Sequence, residues 1–311
     1  MQPKPSHLGP QYAAQYADPG FAAAYPHRPP HPAEIFAILT GLITETPRAV
    51  LDAGCGTGEL ARALAPLVDR VDAVDPAAAM LALGRTLPGG TAPNVHWVLG
   101  GMEDAPLRPP YALVTAGDSL HWMEWSVVFP RFRAALSPAG YLALASREAP
   151  DLPWDGELRA LLRRYSTNRA FRPGGYSLLA ELDTRGLFRV EGERRTAPAP
   201  FQQPVDAYVE SLHARNGFSR DRMTAGRPPP SMRRCAPWWP PLHRTMVCST
   251  CRSSAGSSGA DRRHRKACRR AGKHPRKARG RPPTAPVPVT AQRVGSLPDT
   301  RRYACSGAKR P

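Results

Sequence analysis

A strand that runs into a glycine-rich turn and then into a helix is the sequence feature that most constrains the fold. Residues 50–58 read VLDAGCGTG, with glycines at alternate positions, and an apolar helical pattern follows from Glu59 to Leu67. Glycine has no Cβ and adopts positive φ at little cost, so such a turn lets the backbone come close to a ligand. The segment therefore predicts a binding site at the end of a strand.

Strand and helix patterns continue to alternate along the next ninety residues, with short connections. This alternation predicts an α/β fold with a Rossmann-like, doubly wound and mostly parallel sheet, which binds ligands beyond the carboxyl ends of its strands. The predicted elements are a helix from Pro32, strand 49–51, helix 59–67, strand 71–74, helix 77–83, strands 95–99 and 112–115, helix 125–136, and strand 141–145 after a turn at 137–140.

Two phosphate-binding motifs also contain a glycine-rich turn, but the sequence of this turn matches neither of them. A dinucleotide fingerprint requires glycine at the sixth loop position, where this chain has Glu59, and no Gly-Lys-Ser/Thr follows for a phosphate-binding loop. A carboxylate beside a helix amino terminus would also repel a pyrophosphate. The turn thus disfavours phosphate ligands, with a dinucleotide site or a purely structural turn as the alternative interpretation.

With Asp52 two residues before Gly54, the turn resembles motif I of class I S-adenosylmethionine-dependent methyltransferases. Further segments resemble motifs of that family, especially its small-molecule branch, which includes trans-aconitate-type enzymes. The resemblance covers about residues 20–215. The segments that carry it, besides residues 50–58, are Asp75 at the end of the second strand, Glu103-Asp104 after the third, Ser119-Leu120-His121-Trp122 after the fourth, and Tyr25 with Arg28-Pro29 near the N-terminus.

The resemblance implies S-adenosyl-L-methionine as the cofactor and methyl transfer to a small-molecule acceptor, such as an oxygen of a carboxylate or related metabolite. Asp75 would accept hydrogen bonds from both ribose hydroxyls, and the Asp52 carboxylate would suit the positively charged amino-acid end. The cofactor-binding residues implied in this way are Asp52, Gly54, Gly56, Gly58, Asp75, Glu103 and Asp104.

Tyr25, Arg28 and Trp122 are candidate substrate-binding residues: Tyr25 with Arg28 resembles the N-terminal segment that closes over the cofactor in this branch, and the aromatic rings of Tyr25 and Trp122 suit a wall of the acceptor site. His121, at a strand end facing the predicted cleft, is a candidate general base. Alignment of an acceptor lone pair can supply roughly 7–11 kcal/mol of the barrier, so neither a metal nor a strong base is expected. Plainer interpretations stay open: Asp75 caps the following helix, His121 only orients its neighbours, and Tyr25 and Trp122 pack in the core. Asp72 is expected on the solvated surface.

Charge is divided unevenly along the chain. The sequence holds 43 Lys+Arg and 25 Asp+Glu, a net charge of +18, yet residues 1–220 hold 21 basic and 22 acidic residues and residues 221–311 hold 22 and 3. We therefore expect residues 1–30 as a lead-in and cofactor lid, 31–150 as the S-adenosylmethionine-binding domain, 151–220 as substrate-cap helices with the remaining sheet elements, and 221–311 as a disordered basic tail.

The first 220 residues favour a cytoplasmic protein. They hold one cysteine, Cys55, and no signal-peptide pattern, and no apolar run approaches the roughly 18 residues of a membrane span. The oligomeric state stays open.

The basic tail admits several interpretations. Cys248, Cys251, His264 and Cys268 have zinc-finger spacing, but residues 252–263 offer no large apolar side chain for the core of a finger. A solvated tail is the ordinary interpretation, and its cations suit nucleic acid of any sequence, so a nucleic-acid-binding protein is the main alternative function.

The tail composition also suggests a gene translated out of frame. Tryptophan pairs, scattered cysteines and abundant arginine are what a GC-rich gene yields in a shifted frame, from about residues 217–227 onward. The final antiparallel strand that is usual in this branch would then be missing. A cofactor-binding but inactive protein is therefore a third hypothesis.

Overall fold

A computed structural model of the chain describes residues 4–147, 152, 154–170 and 177–224, together with two later strands, Thr245–Ser249 and Pro288–Arg293. The helices are α1 Pro10–Ala13, α2 Pro19–Ala24, α3 Glu34–Gly41, α4 Glu59–Leu64, α5 Ala78–Thr86, α6 Trp125–Ala135, α7 Asp155–Tyr165, α8 Leu178–Thr184, α9 Val205–His213 and α10 Arg220–Thr224. The strands are β1 Ala49–Ala53, β2 Arg70–Asp75, β3 Val95–Leu99, β4 Tyr111–Gly117, β5 Leu136–Ala145, β6 Arg189–Arg195, β7 Pro200–Pro204, β8 Thr245–Ser249 and β9 Pro288–Arg293. Short 3₁₀ turns cover Ser6–Leu8, Ala14–Ala17, Tyr25–His27, Ala65–Leu67 and Leu120–Trp122.

The centre of the main sheet consists of parallel strands in the order β3-β2-β1-β4-β5. The chain moves outward from β1 to β2 and β3, then returns to the other side of β1 for β4 and β5. The strand order thus reverses between β1 and β4, and ligands of such sheets bind beyond the carboxyl ends at this point. Past β5, β9 pairs antiparallel with β5 and β6 antiparallel with β9, while β7 and β8 pair separately.

Helices cover both faces of the sheet. All residues of β1 are buried, as expected for a strand covered on both sides. Leu39 of α3 and Leu64 of α4 pack with Val50 on one face, and Phe132 of α6 packs with Leu51 on the other. The predicted α/β, Rossmann-like, doubly wound fold is confirmed.

The predicted lead-in forms short helical elements between Ser6 and His27, although the sequence shows no helical period there. Helices α1 and α2 each begin with a proline, which the first helical turn accepts because its N–H would lack an intrahelical partner anyway. Phe21 is fully buried, and its ring centroid lies 4.7 Å from that of Tyr16. Helices of four and six residues are too short to show an apolar period in the sequence.

The turn predicted at residues 137–140 belongs instead to β5. This strand begins at Leu136, which pairs with Tyr111, and its register with β4 shifts before Leu113 pairs with Tyr141. Proline and glycine are tolerated in strands at such irregularities, so Pro138 and Gly140 mark a bulge and not a turn.

Asp72 is buried, contrary to the expectation of a solvated surface position. It is 2% exposed, and its Oδ2 accepts hydrogen bonds from Tyr111 Oη at 2.7 Å and from Arg108 Nε at 3.2 Å. These partners follow Asp72 by 39 and 36 residues, so local spacing gives no sign of them.

Most of the predicted tail lies outside the described residues, including Cys251, His264 and Cys268 of the zinc-finger spacing. The disorder and frameshift hypotheses fall there too, and the domain boundaries stay predictions. The sequence pattern shows no final antiparallel strand, yet β9 lies between β5 and β6. Proline- and arginine-rich flanks conceal its short run of β-branched residues in the sequence. Within the described segments, no helix has both the length and the apolar character needed to cross a bilayer.

Candidate functional site

A cleft opens at the carboxyl ends of β1, β2 and β4, where the strand order reverses. It encloses about 700 Å³, counting the part that is open to solvent. Of the predicted site residues, Tyr25, Gly54, Gly56, Asp75, Glu103 and Trp122 line the cleft, whereas Asp52, Gly58, Asp104, Arg28 and His121 do not.

The glycine turn forms one wall of the cleft. Gly54, Gly56 and Gly58 have φ values of 68°, 57° and 70°, which favour glycine. The backbone N–H groups of Gly54 and Cys55 donate to Val74 O at 2.9 and 3.0 Å, which fastens the turn to β2. A Cβ on Gly58 would lie 2.3 Å from Trp97 Cη2, so packing against β3 requires glycine there.

Asp75 lies at the end of β2 and is 8% exposed. Its Oδ2 accepts a hydrogen bond from Gly56 N and its Oδ1 one from Ala77 N, both at 2.8 Å. Burial raises its pKa, and the two backbone hydrogen bonds oppose that effect. A carboxylate has about four acceptor positions, so Asp75 both fixes the backbone before α5 and keeps lone pairs for a ligand.

Asp52 lies within β1, away from the cleft lining. Its Oδ2 accepts a hydrogen bond from Ala61 N at 3.1 Å, and its Oδ1 accepts one from Thr115 Oγ1 at 2.9 Å. Burial raises its pKa to about 7, against the effect of these hydrogen bonds. Its carboxyl group therefore connects β1 to α4 and β4.

The two acidic residues predicted to bind the cofactor after β3 lie in different surroundings. Glu103 lines the cleft, and its Oε1 accepts a hydrogen bond from Glu124 N at 2.7 Å, just before α6. Asp104 is exposed and lies outside the lining.

Aromatic side chains form the wall opposite the glycine turn. Tyr16, Tyr25 and Trp122 line the cleft, and the ring centroids of Tyr16 and Trp122 are 5.6 Å apart. Arg28 Nη1 donates to Tyr25 Oη at 3.3 Å. His121 contacts Trp122 with ring centroids 4.7 Å apart, and burial lowers its pKa to about 4, so its imidazole is neutral at pH 7.

Sequence reasoning missed Asp118, a cleft-lining residue directly after β4. It has φ 51°, and its Oδ2 lies 3.6 Å from Arg147 Nε and 3.9 Å from Arg28 Nη2. Arg147 Nη1 in turn lies 2.9 Å from Glu59 Oε2, which explains why Glu59 follows the glycine turn without an unbalanced charge. An acidic residue immediately after a strand, as at Asp75, was the available signal.

Acidic groups dominate the electrostatics of the cleft. Among the described residues that line it, the charged side chains are Asp75, Glu103 and Asp118, and none is lysine or arginine. A cleft with one sign of charge concentrates ligands of the opposite sign, so this one suits a cation and opposes a diphosphate.

Residues 50–140 match the family model described as a methyltransferase domain. The chain is 31% identical over 139 residues to the uncharacterized methyltransferases Rv3342 of Mycobacterium tuberculosis and Mb3374 of Mycobacterium bovis, which covers 44% of this chain and 54% of each relative. It therefore spans about half the length of the curated relatives it matches.

A solved structure shares the fold of this chain. A protein assigned as a type II methyltransferase from Anaeromyxobacter dehalogenans superposes with a TM-score of 0.51 and 20% identity, over 85% of this chain and 94% of that one. At this identity the likeness concerns the fold alone.

The lining of the cleft fits S-adenosyl-L-methionine, the cofactor that the sequence resemblance implies. Glycine backbone at Gly54 and Gly56 forms one wall, and the lining carboxylates suit a ligand with positive charges. Asp75 holds its carboxylate rigidly between two backbone donors, which is the arrangement needed to orient acceptor lone pairs toward hydroxyl groups.

Proposed function

We propose that this chain transfers the methyl group of S-adenosyl-L-methionine to a small-molecule acceptor. The observation that carries the proposal is a glycine-walled, acid-lined cleft at the carboxyl edge of the sheet, within a segment that matches methyltransferase domains. When bound, the cofactor supplies a methyl group on a cationic sulfur. Carboxylates stabilise such a charge, whereas they would repel a dinucleotide diphosphate.

Each part of the cleft has a proposed task. Asp75 accepts hydrogen bonds from ribose hydroxyls, and Glu103 flanks the adenine together with the turn after β3. Gly54 and Gly56 allow close approach to the backbone, and Asp118 faces the amino-acid end in place of Asp52. The exclusion of Asp52 from the lining and the presence there of Asp118 support this exchange of roles.

For the acceptor we propose an oxygen on a small carboxylate or related metabolite, as the resemblance to the trans-aconitate-type branch implies. Arg28 supports this proposal because its guanidinium contacts Tyr25 and Asp118, both of which line the cleft. The Arg28–Asp118 distance of 3.9 Å is long for an ion pair, so a ligand carboxylate can compete for this guanidinium.

The acceptor proposal is tested by turnover with a panel of carboxylates and amines of matched size. Arg28→Ala should raise KM for a carboxylate acceptor at least tenfold and leave kcat within about threefold, since a contact made equally in the ground state and the transition state contributes to binding alone. Methylation of amines alone would contradict the proposal.

The cofactor site is tested by calorimetric titration with S-adenosylhomocysteine. Asp75→Ala should abolish measurable binding, because hydrogen bonds to a charged group contribute about 1.5–3 kcal/mol each. Asp104→Ala is the matched control: it removes an exposed carboxylate outside the cleft and should leave the affinity unchanged. Unchanged affinity in Asp75→Ala would remove this residue from the site.

A further inference from the structure

A group of polar contacts joins the N-terminal helices to the segment just before and within α10. Asp18 Oδ2 accepts hydrogen bonds from Ser219 Oγ at 2.7 Å and from Arg222 Nε at 2.6 Å, and its Oδ1 accepts one from Arg222 Nη2 at 3.2 Å. We call Asp18, Ser219 and Arg222 the latch. Its two sides are separated by about two hundred residues of sequence.

Further hydrogen bonds support the latch on either side. Gly217 N donates to Gln15 Oε1 at 2.8 Å, Gly20 N donates to Asp221 Oδ2 at 2.9 Å, and Arg222 Nη1 donates to Gln11 O at 2.9 Å. Both backbone and side-chain groups of the N-terminal helices are therefore held by this later segment.

The latch is sheltered from solvent. Ser219 is fully buried, and the side chains of Asp18 and Arg222 are 18% and 32% exposed. Burial by itself raises the pKa of Asp18, but hydrogen bonds from Arg222 and Ser219 lower it overall, so the carboxylate is charged at neutral pH. A guanidinium that donates two hydrogen bonds to one carboxylate fixes the relative orientation of the two groups as well as their distance.

The latched residue is adjacent to the roof of the cleft, which we define as Tyr16 and Tyr25. Asp18 follows Tyr16 by two residues, and Phe21 packs between the two tyrosines, at 4.7 Å from one ring centroid and 6.1 Å from the other. A Cβ on Gly56 would lie 3.9 Å from Tyr25 Oη, so the roof reaches the glycine turn across the cleft.

We propose that Arg222 is a positioning residue for the cofactor: by binding Asp18 it holds the roof over the cleft. The inference rests on the proposed function and assigns Gly217, Ser219 and Arg222 to the cofactor side of the molecule, whereas residues 151–220 were expected to form substrate-cap helices and the remaining sheet elements. Loss of the latch leaves the roof closed for a smaller fraction of the time, and apparent affinity falls in proportion to that fraction.

The experiment measures S-adenosylhomocysteine affinity by calorimetry on the full chain. Arg222→Ala should weaken binding about tenfold, as expected if the closed fraction falls to about one tenth. Arg220→Ala is the matched control because Arg220 pairs with Glu210 of α9, and its affinity should stay within twofold of the parent.

Charge reversal separates positioning from a general loss of structure. Asp18→Arg should weaken binding as Arg222→Ala does, and the pair Asp18→Arg with Arg222→Asp should recover affinity to within about threefold of the parent. Amide exchange should rise over residues 10–25 in the single variants and stay unchanged in β1 and β2.

The outcomes distinguish the two proposals. A parent chain that does not bind S-adenosylhomocysteine overturns the proposed function and this inference with it. A parent that binds, with Arg222→Ala binding equally well, overturns the latch alone. If Arg222→Ala does not fold, the reversed pair decides, since failure to recover affinity in that folded variant contradicts the inference.

Discussion

At the scale of single residues, Gly58 shows that a motif glycine is not always a ligand contact. The Trp97 ring that blocks a Cβ there is held by a hydrogen bond from its Nε1 to Gly90 O at 2.9 Å and also packs against Gly84. The ring is therefore held by a hydrogen bond and by packing, and substitution at Gly58 disturbs the packing of β3 against the turn.

We expect Gly58→Ala to lower the free energy of unfolding by about 3 kcal/mol, from positive φ together with overpacking. Gly186→Ala is a matched control, because Gly186 has φ 64° and a Cβ added there would meet nothing within 4 Å, and it should lose only about 1 kcal/mol. Urea denaturation measures the free energy of unfolding of both variants. Equal losses would show that Trp97 does not restrict this position.

Asp52 makes a second residue-scale prediction, which concerns pH. Its folded-state pKa of about 7 lies above the ordinary value of 3.8, so the folded chain keeps a proton that the unfolded chain releases. This group's contribution to stability is complete below pH 4 and is lost as pH rises toward 7, at up to about 1.4 kcal/mol per pH unit.

Asp52→Asn should remove that decline, because the amide cannot ionise and its oxygen still accepts from Ala61 N. Unfolding free energies measured between pH 4 and 7 should therefore fall less steeply in the variant, with S-adenosylhomocysteine affinity within threefold of the parent. A complete loss of S-adenosylhomocysteine binding in a folded Asp52→Asn variant would show that Asp52 does contribute to the cofactor site.

At the scale of elements, α2 connects stability to the cleft. Phe21→Ala removes a fully buried ring between Tyr16 and Tyr25 and should cost about 3–5 kcal/mol of unfolding free energy. Phe132→Ala in α6 removes an equally buried ring on the sheet face beyond the cleft and should cost a similar amount.

The two variants should differ in cofactor affinity. Under conditions where both are folded, Phe21→Ala should weaken S-adenosylhomocysteine binding at least fivefold, because the roof loses its support, while Phe132→Ala should leave it unchanged. Calorimetry on both proteins checks this, and equal affinities would mean that α2 packing is independent of the site.

Element prediction from sequence succeeded where a helix or strand was long enough to show its period. Strand 95–99 was located to the residue, and α6 to within one. Helices α1 and α2 were missed because a single turn buries too few side chains to form a pattern. The bulge in β5 was missed because Pro138 and Gly140 also satisfy the rules for a turn.

At the scale of the whole molecule, positive charge is concentrated in one part of the sequence. The excess of 22 basic over 3 acidic residues lies beyond residue 220, whereas the described cleft lining contains no lysine or arginine. We expect single-stranded DNA at low salt to leave S-adenosylhomocysteine affinity unchanged, measured by calorimetry with and without the polynucleotide. Competition between the two ligands would contradict separate surfaces.

The site was predictable in proportion to how local its contacts are. Gly54, Gly56 and Asp75 follow strands of the first βαβ unit, so their convergence comes from topology alone. The Asp118–Arg147 and Asp18–Arg222 pairs depend on how separate elements pack, since their partners are 29 and 204 residues apart. No spacing rule indicates such pairs, and neither does it reveal that Asp52 faces α4 and not the cleft.

The most direct test of the central claim is parallel calorimetric titration of the purified chain with S-adenosylhomocysteine and with NAD⁺. An acid-lined cleft behind a glycine turn should give saturable binding of S-adenosylhomocysteine in the micromolar range and no heat of binding for NAD⁺. Binding of NAD⁺ with no binding of S-adenosylhomocysteine would contradict it.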